Sequence, residues 1–582
     1  LMDQFERYFQ QELAYLRELG KLACETKPHL KDVLGGRDPD VERLKEGFAA
    51  LMARPSQKIN DAFPELTQPL LRNLQAQSIK GIPATSIMQI EGGKDADFAF
   101  SLPRGTKVQT PVDQTFITSR ACEVQPIMLI GREITHQDQE TQITLTFEYT
   151  GKDDHWDVQP IEFFLSRDEA VADSLLLGLC RYGYRGELRH NGQTYVMETL
   201  RFVPRSGGDR LILSPPVAVG NWAPQMLLES FYLPHVHHFL TLDMPYPVQS
   251  RRLPMTDNRT FTLILNLDTL LSLSDKQIAE AFLLHCVPVV NLRLERLTLP
   301  FKSDTARYPL PLSPEQGLLH VAALTLKGEP NEAGQVRGEA GQFYPVSQLT
   351  GLSRHQSEYD DAWFYALEVS RDALGRLEYA LVFYDSHAKL MAQPPRRQFT
   401  CHFVAFNPQP ITLPAGTECL TESLPDRCQI KTVTPVSGSY PPVIDSQRHW
   451  RLLSHYATSG YVLLSAEAFR QLLRDYDFYP DHDRPVSRQL QRMIAGIQSI
   501  NSEAKDRLVK GQPHRCLYLE LTLDESAYAS RGALFRFADT LYQFLPFFLS
   551  NDMLMLMDVT CQPSGEQWRL SPLPLRGYRP LM

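Results

Sequence analysis

The chain has 582 residues and a mass of 66.3 kDa, too long for one hydrophobic core and suited to roughly three or four folded units. Hydrophobic residues make up 43% and charged residues 22%, which excludes a chain disordered along its length. With 59 basic against 68 acidic side chains the net charge is −9, so the composition lacks the counterion-displacing excess of Lys and Arg that marks a nucleic-acid binder.

The opening Met2-Asp3-Gln4-Phe5-Glu6-Arg7 carries an acid early and lacks an apolar stretch, so no secretory signal is expected. The longest apolar stretch, residues 541–559, is broken by Pro546, Asn551, Asp552 and Asp558. A membrane span needs about 20 largely apolar residues, and none is expected here. Nine cysteines lie far apart, the nearest pair being Cys419 and Cys428. They read as reduced thiols of a cytosolic protein rather than a disulfide framework or a zinc knuckle.

In chain order, Phe5, Tyr8, Phe9, Leu13, Leu16, Leu19 and Ala23 recur at three- and four-residue intervals and predict a helix with one apolar face. The Pro28 region and Gly35-Gly36 break it. Asp38 then caps, and Pro39 opens, a second helix with the stripe Val41, Leu44, Phe48, Leu51 and Met52. Pro55 is expected to end or kink that helix. From about Ile87, short β-branched and aromatic runs near Gly and Pro predict strands at 87–90, 98–100, 107–109 and 143–149. This texture continues to about residue 430, with helices expected at 175–179 and 275–284. Residues 434–447, with Pro435, Pro441 and Pro442, read as a stiffened linker. Beyond it Phe469, Leu472, Leu473 and Tyr476 predict a helix. Leu534, Phe537, Ala538, Leu541, Phe544, Leu545 and Phe548 predict a long amphipathic helix kinked at Pro546. The expected fold class is α+β and multidomain. A helical N-terminal segment (1–85) is followed by a β-rich domain with helical insertions (86–300) and a second β-rich domain (301–433). The linker then leads to a mixed α/β C-terminal domain (448–582).

Motifs that carry a mechanism are missing: GxxxxGK[ST] and GxGxxG for phosphates, GxSxG for a nucleophile elbow, HExxH for zinc. His235 and His237, with Asp243 nearby, are the best metal candidates, because alternate residues of a strand share a face. No third or fourth ligand stands at a recognisable spacing, so solvated or hydrogen-bonded histidines are expected. Asp481-His482-Asp483 lies in a Pro-flanked loop and reads as a chance acidic triplet. His285 and Cys286 would point to opposite faces of a strand within an apolar run, which reads as a buried structural segment. Arg448-His449-Trp450-Arg451 is one short basic cluster in an acidic chain, where Trp450 is expected to anchor packing or a protein interface. No metal, cofactor or catalytic residue is expected.

Several stretches carry a resemblance. They are Phe5-Glu-Arg-Tyr-Phe-Gln-Gln-Glu-Leu-Ala-Tyr-Leu-Arg-Glu-Leu-Gly20, Asp38-Pro-Asp-Val-Glu-Arg-Leu-Lys-Glu-Gly-Phe-Ala-Ala-Leu-Met-Ala53, Asp61-Ala-Phe-Pro-Glu-Leu-Thr67, Ile82-Pro83 and Leu102-Pro-Arg-Gly-Thr106. Leu284-His-Cys-Val-Pro-Val-Val-Asn-Leu292 and His449-Trp-Arg-Leu-Leu-Ser-His455 continue the series in order along the chain. Together they resemble the TssF family, also called VasA or ImpG. The sequence departs from the family pattern at Pro55, at 75–80, at 401–407 and at 551–554, which puts local helix and interface geometry there in question.

The resemblance implies a cytoplasmic wedge protein of a type VI secretion baseplate, docked at the inner membrane through the membrane complex. It implies assembly with TssG, two copies of this chain per TssG, with TssK and TssE, around a VgrG hub. It brings no catalytic residue. The expected partner-facing residues are Phe5, Tyr8, Phe9, Leu13 and Leu16, then Phe537, Leu541, Phe544 and Phe548, and Trp450. Two other functions stay open on the sequence: a wedge of a related phage-tail-like contractile particle, and a cytosolic enzyme of unrecognised β-rich fold.

Overall fold

The computed structural model describes residues 9–10, 13–14, 16–17, 39–60, 80–92, 99–204, 223–244, 248, 251–302, 305, 307–327, 343–345, 363–371, 376–384, 390, 398–425, 428–457, 465–480, 482–509, 512–570 and 574–578. Its α-helices beyond the first turns are α1 (Pro39–Asn60), α2 (Glu169–Leu177), α3 (Ala223–Tyr232), α4 (Asp275–Ala279), α5 (Ser446–Ala457), α6 (Ala466–Asp475), α7 (Arg484–Ala495) and α8 (Arg531–Phe544). Polar side chains start most of them by taking up free N–H groups: Asp168 for α2, Ser274 with Gln277 as a capping box for α4, Ser465 for α6, Asp483 for α7 and Ser530 for α8. Pro55 does not end its helix. α1 runs through Pro55 to Asn60 without ending. Proline removes one N–H from the ladder, and the helix continues beyond the gap.

Asn291 stands at the centre of the fold. Its backbone N–H reaches the Ala84 carbonyl (2.8 Å), its side-chain NH2 the Thr115 carbonyl (2.9 Å), and its side-chain oxygen accepts the N–H of Asn407 (2.8 Å). Four distant segments meet at one buried amide. Around it lies a six-stranded antiparallel sheet in the order Glu418–Cys419, Cys428–Thr432, Thr85–Gly92, Cys286–Val290, Thr115–Thr118, Lys107–Gln109. The sheet therefore draws strands from both sides of residue 300. Ala84, Met88, Ile90, Val108, Phe116, Val287, Val289 and Ile430 form its core.

A second, five-stranded antiparallel sheet runs Gln193–Met197, Gly183–His190, Thr260–Leu267, Glu140–Tyr149, Ile127–Gln137. Strand Glu140–Tyr149 alternates buried and half-buried residues, as period-two patterning requires. Its inner side stacks Phe147 on Phe261 (4.9 Å between centroids), with Trp156 on the other face of Phe261 (4.6 Å). These residues share one continuous core with α2, α3, α8 and the C-terminal sheet.

The described residues between 293 and 406 form a sandwich. One sheet is Arg293–Pro300, Gln398–Phe406, Gly317–Lys327; the other is Arg307–Pro309, Leu377–Tyr384, Trp363–Arg371, Phe343–Pro345. Phe301, Tyr308, Phe383 and Phe399 pack edge-on and tilted between them, as aromatic quadrupoles prefer. The sandwich begins two residues after Asn291 and ends one residue before Asn407, so both chain crossings leave the six-stranded sheet at one hydrogen bond.

The C-terminal sheet is built on a hairpin of two 13-residue strands, Ile497–Val509 and Gln512–Asp524. Leu554–Gln562 joins it in parallel, followed by Gln567–Arg569, with Leu575–Arg576 also paired to Leu554–Gln562. α8 is the crossover between the two parallel strands. Residues 434–440, expected as the start of a linker, lie against Thr85–Ile87: Thr434 Oγ1 accepts the Ile87 N–H and Ser437 Oγ the Thr85 N–H. Tyr440 is buried and bonds Asp483 through its hydroxyl (2.9 Å). The fold is thus α+β, with a β-rich middle and helices at both ends. Its expected amphipathic C-terminal helix is instead buried almost all round.

Close approach of α8 to α2 is possible only because residue 532 is glycine: a Cβ there would lie 2.1 Å from the Asp173 carbonyl oxygen. Gly532→Ala is expected to destabilise the protein by about 1–3 kcal/mol through this overlap, read as a lower midpoint in calorimetric melting. An unchanged midpoint would mean the two helices do not touch there.

Candidate partner-binding surfaces

α1 presents Leu44, Phe48, Leu51 and Met52 along one side, between 41% and 71% exposed. Spacings of four, three and one residue put them on one arc of the helix. Ala49, off that arc, is fully buried. Glu42 fastens the helix to the turns near residue 17, taking Arg17 at 3.0 Å and Lys45 at 2.9 Å. The hydrogen bonds from Lys45 and then Arg17 hold the Glu42 carboxyl below the usual range. Of the expected N-terminal stripe, Leu13 is buried and Phe9 and Leu16 are half-buried; Phe5 and Tyr8 lie outside the described residues. The exposed apolar row thus lies on the second helix, whose periodicity is of the same kind but for which no partner-facing role was expected.

The C-terminal candidates are placed differently. Phe537, Leu541, Phe544 and Phe548 are all buried within this chain's own core, so α8 leaves no apolar face for another subunit. The reason is its setting: α2 and α3 pack on it and the C-terminal sheet shares its core. Trp450 on α5 is 47% exposed and remains on the surface. Its basic neighbours are engaged internally: Arg448 donates to the Asp477 carbonyl (2.9 Å) and Arg451 pairs with Asp475 (3.5 Å). His449 is buried, one ring nitrogen at 3.1 Å from the Val443 carbonyl.

The other chemical candidates resolve into structure. His235 and His237 stand in a 3-10 turn, Pro234–His237, and not on a strand, so they do not share a strand face. Burial lowers the first to about 4 and the second to about 3, keeping both neutral at pH 7. Asp243 lies at 3.8 Å from Arg201. Among the described residues no three His, Cys, Asp or Glu side chains gather in a way that would hold a metal. Gln125 donates its backbone N–H to His285 Nε2 (3.2 Å), and burial drives the Cys286 thiol well above its ordinary value. Asp483 caps α7, and Asp481 lies outside the described residues.

What the sequence did not announce is a buried polar lock. Arg536 of α8 donates Nε to Asp173 (2.8 Å) and Nη2 to Glu169 (2.5 Å), both on α2. The second Asp173 contact is His238 Nε2 at 2.9 Å. Asp173, His238 and Arg536 are all buried. Burial by itself raises the Asp173 carboxyl. Attraction to Arg536 and the His238 hydrogen bond outweigh it and hold the group below the usual range. Ser230 of α3 and Thr540 of α8 bond through their hydroxyls (3.0 Å) close by. A second polar centre is Asp477, which accepts from Tyr232 (3.2 Å), Ser487 (2.5 Å) and Gln491 (2.8 Å).

The family model for type VI secretion system TssF matches residues 1–574. The chain belongs to the TssF family. Type VI secretion system component TssF1 of Pseudomonas aeruginosa is 31% identical over 147 residues, which is 22% of this chain and 23% of that relative. In a cryo-electron microscopy structure of a TssK-TssF-TssG baseplate subcomplex, one chain superposes with a TM-score of 0.73 at 22% identity, covering 92% of this chain and 99% of that one. A chain of a type VI secretion baseplate complex superposes with a TM-score of 0.63 at 20% identity, covering 99% and 100%. At these identities the superpositions establish a shared fold.

Arg536→Met removes one partner of the buried pair and strands Asp173. The expected loss is about 3–5 kcal/mol, measured as a fall in the melting transition. Asp173 adds a pH signature. Its folded value is depressed, so its contribution is present above the unfolded value of about 3.9 and is lost as pH falls through the folded one. The gap in melting temperature between wild type and Asp173→Asn is therefore expected to be widest near neutrality and to shrink below about pH 4. A gap constant with pH would show that the carboxylate charge contributes nothing.

Proposed function

We propose that this chain is a structural baseplate subunit of a bacterial type VI secretion system, with no catalytic role of its own, and that it acts there as a wedge. The observation that carries the reading is the family match over residues 1–574. The shared fold with a chain of a TssK-TssF-TssG subcomplex supports it. That likeness supports TssG and TssK as partners; the proposal adds two copies of this chain for each TssG and, further out, TssE and the VgrG hub, as the platform for sheath and tube assembly. The chain works on the cytoplasmic side, held at the inner membrane through the membrane complex. In keeping with this, no helix among the described residues is long and apolar enough to cross a membrane.

The surface that suits such a role is the α1 stripe. Leu44, Phe48, Leu51 and Met52 would add an apolar row to a helical bundle shared with TssG, each side chain contributing about 1.5–3 kcal/mol before ordering costs. The N-terminal residues Phe5, Tyr8, Phe9, Leu13 and Leu16, which precede this stripe in the sequence, are proposed to face the same partner, and Trp450 is a second, smaller contact. The buried locks elsewhere suit a part that must hold its partners at fixed angles.

Co-expression with TssG, followed by size-exclusion chromatography with light scattering, tests the assignment. The expected complex has a mass fitting two copies of this chain and one TssG. The double variant Phe48→Asp, Leu51→Asp is expected to abolish it while leaving the melting transition within a few degrees of wild type, since both positions are exposed. A chain indifferent to TssG would sink the wedge reading, and a complex untouched by the double variant would move the contact off α1.

A further inference from the structure

The first strand of the C-terminal hairpin, Ile497–Val509, is the edge of its sheet. It pairs with Gln512–Asp524 on one side, and among the described residues no strand pairs with the other. At its base Ile497 and Ile500 are buried. Further out the strand leaves the body: Asn501, Glu503, Ala504, Lys505, Asp506 and Leu508 are exposed, which takes in both faces, and Leu508 is 72% exposed. An edge of this kind offers its outward N–H and C=O groups to another strand.

The order of its side chains decides which strand fits. Asn501, Glu503, Lys505 and Arg507 alternate onto one face, and Ile500, Ser502, Ala504, Asp506 and Leu508 onto the other. Two copies laid antiparallel about a two-fold axis at Ala504 oppose Glu503 with Lys505 twice. The same register sets Asn501 against Arg507, Ser502 against Asp506 and Ile500 against the exposed Leu508. The smallest side chain of the segment meets its own copy on the axis. Moving the axis to residue 503 opposes two glutamates and forms no ion pair, moving it to 505 gains Glu503 against Arg507 but sets two lysines against each other on the axis, and moving it to 506 opposes two aspartates and sets Lys505 against Arg507. At 502 no ion pair forms. Cross-strand charge pairing thus selects one register. Glu503 and Lys505 already attract within one strand at 2.6 Å, both well exposed, so neither must be drawn out of a buried site to pair across the axis.

We propose that this edge is a self-association surface, on which two copies of the chain join antiparallel along residues 500–508 with the two-fold axis at Ala504. The inference rests on the hairpin alone and stands apart from the baseplate assignment.

Sedimentation velocity of the full chain over a range of concentrations tests it, using Glu503→Lys, Lys505→Glu, the double swap, and an equimolar mixture of the two single variants. Wild type is expected to dimerise. Each single variant opposes like charges twice and is expected to weaken the dimer at least about ten-fold. The double swap restores it. The mixture also restores it, because a chain with two lysines then faces a chain with two glutamates. Circular dichroism checks that each variant keeps its fold. A wild type that stays monomeric through the micromolar range overturns the proposal and leaves the edge to a strand of another protein. So does a dimer whose strength neither single variant changes.

Discussion

A guanidinium cannot be left unpaired inside a protein, and that constraint organises the middle of this molecule. Arg536 is buried on a helix that is itself buried, so α8 has to lie where two carboxylates await it. Asp173 and Glu169 stand one turn apart on α2 and supply them. This fixes α8 in both rotation and height against α2. Gly532 then permits backbone contact one turn below, and the Ser230–Thr540 hydrogen bond places α3 on the same helix. The crossover that carries the chain between the two parallel C-terminal strands is thereby tied to a helix more than 350 residues earlier.

The interior therefore uses up the groups that looked chemically promising. Among the described residues, His235 and His237 are desolvated and neutral, His238 and His455 are hydrogen-bonded to the buried carboxylates of Asp173 and Asp475, and burial raises the Cys286 thiol. A row of exposed apolar side chains remains on α1. Rigidity inside and adhesive area outside is the division expected of a protein that works by holding others in place.

Much of this was legible in the sequence, and the parts that were not share a cause. The α1 stripe, the strand texture from Ile87 and the helix starting at residue 275 are local signals, carried by period, and they appear in place. Assignments that needed knowledge of distant neighbours fared worse. The stripe Phe537, Leu541, Phe544 and Phe548 has a helical period whether one face or every face is covered, and only the packing of α2 and α3 decides between the two. Arg536 within Leu534-Phe-Arg-Phe-Ala538 was the one available hint, because a lone charge in an apolar run needs a partner somewhere. The stretch 434–440 has a linker's composition, yet its hydroxyls and carbonyls complete the flank of a strand some 350 residues away, which no local pattern encodes.

The manner in which the sandwich is attached has a mechanical meaning. Its chain departs and returns through neighbouring strands clasped by the Asn291–Asn407 hydrogen bond. A body hung on one thread can swivel freely. One hung on two threads that leave through the same gate can tilt like a flap, but twisting it would wind the threads around each other. A pull on the sandwich is shared between two covalent paths, one entering the six-stranded sheet at Cys286–Val290 and the other at Glu418–Cys419, with two strands of that sheet between them. That is a joint able to transmit force while keeping its heading.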